Sequence, residues 1–192
     1  MEFRQIKTGL GITLITNETI NSIAKVRVFE GKDAKELNEY LYELNKKVLS
    51  LAKNKNRSWE VGALWNTVTN KVYWFRGNDT GISAKSNKNG EIELYNGSGK
   101  TLIWTHNHPR NRGFSSADMN SFIFRESILA MIAICNDGRI HTLFKMTNFN
   151  EDKCTYYYNM AKPGEKFRNV VKHQNEIGVW YRCSVPNKRR TI

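Results

Sequence analysis

Two of the chain's four histidines fall within three residues, in the stretch WTHNHPRNRGFSSAD that runs from Trp104 to Asp118. Successive side chains alternate along a strand, so His106 and His108 share one face and Asn107 takes the other. Two imidazoles on one face can converge on a single ion. Zinc accepts histidine nitrogen and carboxylate oxygen, and a catalytic zinc keeps one position for water. Asp118, in the first helical turn after a tight loop, is the candidate third ligand, and a helix N-terminus favours its charge. That set leaves a fourth corner for water, whose pKa the metal lowers toward ~7.

The same letters carry a second reading. S-x-x-D, here Ser115 to Asp118, is a capping box that satisfies orphan amides without any metal. On residue types alone both readings stand. Glu60 bears on the choice, because it is an acidic residue in the apolar strand start SWEVGALW. A buried carboxylate needs a partner or a reason, and taking a proton from water is one such reason. Strand alternation could equally turn Glu60 to solvent.

Taken together, Glu60 in WEVGALW and the later THNHPRNRGFSSAD resemble the JAMM (JAB/MPN+) zinc metalloprotease motif. That motif is a glutamate on an early strand, then H-x-H-P, a loop and S-x-x-D. The span from Trp59 to about Met146 also follows the family's order of elements. The form HNHPR…FSxxD is closer to bacterial and phage-associated members than to deubiquitinases, and it implies a bacterial or phage-host cytoplasm. The resemblance implies Zn2+ held by His106, His108 and Asp118. It makes Glu60 the general base and then the acid, and Ser115 the donor to the oxyanion. Ser116 lies one position off the pattern, and Pro109 fixes the chain's exit beneath the metal. The implied reaction is amide hydrolysis by a peptidase or isopeptidase, on a protein or peptide substrate that could be a conjugated modifier. The RadC-like members share H-N-H-P and S-x-x-D, which opens an alternative role on nucleic acid. An HNH nuclease is a different fold with well-separated histidines. An inactive scaffold would need none of these five residues.

The elements that must position these groups follow from periodicity. Leu37, Leu41, Leu44, Val48 and Leu51 recur at helical spacing in DAKELNEYLYELNKKVLSLAKNK, with Asp33 as cap and lysines toward the C-terminal end. GITLITNETI and KVRVFE read as short strands or extended chain. WEVGALWN and KVYWFRG form a hairpin around TVTN. The Gly-, Asn- and Ser-rich segment after it reads as loops around a short strand at Glu91–Tyr95. TLIWTHNH is an apolar strand, SSADMNSFIFRES a helix, and LAMIAICNDG with RIHTLFKM a strand pair. The remainder, through VWY, reads as mainly helical with a break at Pro163–Gly164. The expected fold is α/β, with a mixed, largely antiparallel sheet flanked by helices. The resemblance adds JAB/MPN-like, cytidine-deaminase-like layering. We expect one domain over residues 1–192, with its motif region at 59–146 and helical additions on either side.

The net charge of +12 over 192 residues favours an acidic partner or nucleic acid, or simply gives a solvated surface. It is spread along the chain apart from the tail NKRR. Three cysteines, Cys135, Cys154 and Cys183, make neither a disulfide framework nor a zinc set, which suits a reducing compartment. No leader or membrane span is expected. His141 and His173 read as structural or surface residues and Cys135 as a small core hydrophobe, and the tryptophans of the sheet-like runs read as packing. One face of YYYNM must be exposed or meet a partner. Substrate selection is expected in the loops at 77–90 and 95–100, which carry Lys85, Lys88 and Lys100. Arg110 and Arg112 would pair with a substrate carboxylate or phosphate, or face solvent.

Overall fold

Helical leucine spacing and strand alternation together build the layers of this protein, whose structure is a computed structural model describing residues 11–187. The predicted long helix forms as α2 (Ala34–Lys55) and follows a short α1 (Asn17–Ser22). Six strands make one sheet: β1 (Val61–Asn66), β2 (Lys71–Arg76), β3 (Leu102–His108), β4 (Ile128–Cys135), β5 (Ile140–Lys145) and β6 (Val179–Ser184). Their order is β2-β1-β3-β4-β5-β6. Every neighbouring pair is antiparallel except β3 and β4. A parallel pair needs a crossover, and helix α4 (Ser116–Phe124) supplies it. The expected mixed, largely antiparallel sheet flanked by helices is what forms.

Alternation sorts the sheet into two cores. On one face α2 lays Leu41, Leu44, Val48, Leu49 and Ala52 on Ala63, Trp65, Ile103, Ala130 and Ile132. Fully burying an aliphatic side chain of this size contributes roughly 2 kcal/mol. On the other face α4 lays Met119, Phe122 and Ile123 on Leu64, Leu102, Trp104, Met131 and Ala133. Along β3, Ile103 packs toward α2 and Thr105 hydrogen-bonds Asn45 of that helix at 2.8 Å. Trp104, His106 and His108 take the α4 side. Gly62 pairs with His106. A Cβ at Gly62 would come within 2.9 Å of Ile82 and 3.1 Å of Trp104, so glycine keeps that neighbour position clear.

Several expectations are corrected. Asn17–Ser22 is helical rather than extended, because the Thr16 side chain accepts from the Thr19 amide and starts a turn. Asp33 sits at the N-cap of α2, but its side chain makes no capping bond. Glu91–Tyr95 is part of a helix, α3 (Lys88–Asn96), not a strand. The alternation of IELY suggested a strand, but Asn87 caps the segment by accepting from Gly90, and Leu94 alone points inward. The C-terminal part forms α5 (Glu151–Met160), α6 (Lys166–Lys172) and α7 (Gln174–Ile177), yet Val179–Ser184 is strand β6. Gly178, at φ 67, ends α7 in the left-handed region, and VWYRCS then pairs with β5. Most of the tail NKRR lies outside the described residues. Among the described residues no helix is long and apolar enough to cross a membrane.

Candidate metal centre

The end of β3 and the first turn of α4 meet at one point. His106 Nε2 lies 2.8 Å from His108 Nε2, and Asp118 oxygens lie 3.2 Å and 3.4 Å from the two nitrogens. One ligand atom from each residue falls within 4.8 Å of the others. This is the convergence that strand alternation predicted, and it places three donors to chelate a metal ion. His108 Nδ1 is 2.8 Å from the Arg112 carbonyl, which can only accept. The ring proton is therefore on Nδ1, and Nε2 turns its lone pair to the cluster, as a ligand must. His106 Nδ1 is buried with no partner among the described residues, and its ring centre lies 6.0 Å from that of Trp104. Two histidines and a carboxylate are a donor set typical of zinc.

At Asp118 the two readings of S-x-x-D are compatible. The Ser115 amide and hydroxyl donate to Asp118 Oδ2 at 2.7 and 2.6 Å, and Ser115 Oγ accepts from the Asp118 amide at 3.2 Å. The capping box is complete, and it holds the carboxylate against the imidazoles. Burial works to raise the Asp118 pKa, but the charge and hydrogen bonds of His106 and His108 outweigh it and hold it well below the usual carboxylate range. For His108 burial is again the largest influence and acts downward; the Asp118 contact overcomes it, and the net shift is upward. The Ser115 hydroxyl proton is thus engaged by Asp118 in this state.

Glu60 is buried and lines the same cleft as the three ligands. It does not turn to solvent. Its pKa is raised, chiefly by burial, against the lowering charge of His106 and His108. A glutamate whose folded pKa exceeds its unfolded value matches a neutral glutamine below the unfolded pKa and loses stability as pH rises through the folded one. We expect Glu60→Gln, free of metal, to be about 1 kcal/mol more stable than the parent at pH 7 and to show little gain at pH 4. Urea denaturation at the two pH values measures this, and equal gains at both would exclude a charge origin.

The chain brackets Glu60 by a device that the H-x-H spacing does not announce. Asn107, on the opposite face from the histidines, accepts from the Val61 amide at 2.7 Å and donates to the Trp59 carbonyl at 3.2 Å. It also donates to Asn136, whose amide group in turn bonds the Thr13 and Ser58 carbonyls. Asn56 adds bonds to the Glu60 and Gly77 carbonyls. Deleting the Asn107 side chain strands buried partners, so Asn107→Ala should cost about 3 kcal/mol. Thermal melts of the zinc-loaded protein check this, and a loss below 1 kcal/mol would show the bracket to be dispensable.

A cleft of about 1080 Å³ contains the cluster. Its lining falls on either side of α4: Ile82, Ala84, Leu94 and Tyr95 toward α3, and Lys166, Phe167, Arg168 and His141 toward α6. The loop at 77–90 contributes residues 79–82 and Ala84 to the lining, but Lys85, Lys88 and Lys100 do not line the cleft. Lys100 instead bonds the Met146 carbonyl. Arg110 and Arg112 both line it, and Arg110 pairs with Asp79 at 3.2 Å. Pro109 lines the cleft and its carbonyl accepts from the Thr13 amide. Ser116 lines the cleft and its carbonyl accepts from Tyr158. His173 stacks on Tyr157 and pairs with Glu176, away from the cluster. Cys135 and Cys154 are buried, each with its thiol pushed up to about 12 mainly by burial. Trp65 packs in the core against Phe29 and Tyr40, and in YYYNM Tyr156, Asn159 and Met160 are exposed while Tyr158 is buried.

No protein-family model, curated protein or solved structure matches the chain when it is compared with each. The correspondence lies in the site and the layers. The cluster supports a metal-dependent hydrolytic active site. The His106–His108–Asp118 ligand cluster and the mixed antiparallel sheet flanked by helices match the architecture of the JAMM/MPN+ superfamily.

Proposed function

We propose that the protein is a zinc-dependent peptidase or isopeptidase, built on one JAB/MPN-like domain. The observation that carries this is Glu60, a buried carboxylate sharing a cleft with a His-His-Asp donor set. A structural metal clamp has no use for it. His106, His108 and Asp118 would hold zinc, which would supply a Lewis acid for the amide carbonyl and lower the pKa of water toward ~7. Glu60 takes the proton of the attacking water and returns it to the leaving amine nitrogen, whose bond to the carbonyl carbon then breaks. Burial suits it to both halves of that exchange, since a raised pKa brings acid and base forms closer in energy. Ser115 orients Asp118 in the resting state. Its hydroxyl donates to the developing oxyanion once substrate draws it from that carboxylate.

The test is cleavage of internally quenched peptides by the zinc-loaded protein, beside a branched series in which a lysine side chain carries the acyl group. Products are identified by mass. A new amine and a new carboxylate, abolished by a chelator and restored by zinc, are expected from at least one series. Folded, zinc-loaded protein that cuts neither series would remove the reading.

A further inference from the structure

The α6 side of the cleft takes no part in the chemistry above, yet it contains a buried polar atom without a partner. His141, on β5, is only 8% exposed and lines the cleft with Phe114, Phe167 and Tyr181. Its Nδ1 lies 2.9 Å from the Tyr181 hydroxyl, while Nε2 meets no partner among the described residues. Buried polar atoms are almost always satisfied, so one that is not points to a missing partner. When Tyr181 donates to Nδ1, the ring proton resides on Nε2 and makes it a donor. Gly113 stands at the edge of the ring. A Cβ there would crowd Phe167 at 3.2 Å and make an ordinary contact with His141 Cε1 at 3.8 Å.

The charged side chains that line the α6 side of the cleft are basic. Arg112, Lys166 and Arg168 line the same side, and none of them joins an ion pair among the described residues. Asp79, the other acid in the cleft besides Glu60 and Asp118, is taken up by Arg110. Aromatic rings such as Phe114, Phe167 and Tyr181 can also cage a cation. Three basic side chains on this side of the cleft, with Lys166 already 4.4 Å from the centre of the Tyr158 ring, oppose a second cation here.

We propose that this side of the cleft is a subsite for a carboxylate of the substrate, carried by an aspartate or glutamate close to the bond that is cut. Arg112, Lys166 and Arg168 supply the charge, His141 Nε2–H supplies one directed hydrogen bond, and Phe114 and Phe167 flank the methylene stem. A peptide carboxylate fits better than nucleic acid, because these donors line the cleft that holds the metal cluster instead of tracking a repeating backbone over an open face. The proposal rests on the hydrolase reading only for the position of the carboxylate relative to the scissile bond.

The test uses two fluorescein-labelled octapeptides, alternating Ala-Glu and alternating Ala-Gln, so that any register offers the subsite a carboxylate or its neutral counterpart. Polarisation with zinc-loaded protein at near-physiological salt should show the Glu peptide bound at least about tenfold tighter. His141→Phe keeps the ring packing and loses the N–H, and should cut the preference to about twofold. Arg168→Gln should do the same, and its exposed position on α6 keeps the test sound if His141→Phe does not fold. Lys85→Gln, an exposed cation outside the cleft, should change nothing. Equal binding of both peptides overturns the subsite, as does a preference kept in both cleft variants or lost equally in Lys85→Gln. So does a dT oligonucleotide that displaces the Glu peptide and binds tighter. Internally quenched forms of the two peptides separate the two readings. Preferential binding with no cleavage of these peptides or of the branched series leaves the subsite and removes the hydrolase, whereas cleavage of both peptides at one rate does the reverse.

Discussion

Zinc-loaded Glu60→Gln is expected to keep its metal and lose about a thousandfold in turnover, the usual worth of a positioned proton-transfer group. Glutamine preserves the size of the side chain and the backbone bonds from Asn56 and to Asn78, so the strand start should stay where it is. Only the capacity to accept and return a proton is gone. Metal content by elemental analysis and turnover on the same preparation decide the matter together. Equal turnover at equal zinc removes Glu60 from the reaction, whereas lost zinc would make it a ligand. Because the zinc-free variant is expected to be more stable than its parent at neutral pH, loss of activity would not be a folding defect. Active sites commonly trade stability for function in this way.

The second large effect concerns the metal itself. Wild type should hold about one zinc per chain after dialysis, and Asp118→Asn close to none, with turnover at background. Asparagine can still accept from the Ser115 amide at N3, so helix α4 should persist and circular dichroism should change little. What disappears is the anionic ligand between two imidazoles. Ser115→Ala gives the useful contrast. It removes a cap worth about 1 kcal/mol and the hydroxyl that steadies Asp118, so zinc affinity should fall only about tenfold. Full zinc retention by Asp118→Asn would mean that His106 and His108 bind with some other third group.

How much of this the residues announced depends on the range of the interaction concerned. The two histidines and Asp118 were legible because their geometry is local: alternation aligns the rings, and a helix start presents the carboxylate. The α2 face and the two hairpins were legible for the same reason. Glu91–Tyr95 was not, since a four-residue alternation cannot distinguish a strand from a helix that rests one leucine on its neighbours. Strand β6 was hidden because VWYRCS follows three helices and is fixed by pairing with β5, not by its own pattern. The Asn107 network and the orphan nitrogen of His141 depend on residues far apart in sequence. Asparagine carries no periodic signal. A histidine in a strand shows its unsatisfied side only once the cleft wall has closed over it.

The hold of Thr13 on the ligand loop bears on how the chain matures as it is made. Its side chain accepts from Asn111, 98 residues later, and its carbonyl accepts from Asn136, 123 residues later. A ribosome delivers Thr13 early and Asn136 late, so the brace beneath His108 cannot close while most of the chain is still unmade. Contacts of such separation form slowly, after the local helices and hairpins. A nascent chain stopped before Asn136 would therefore carry His106, His108 and Asp118 and still lack the frame built around them.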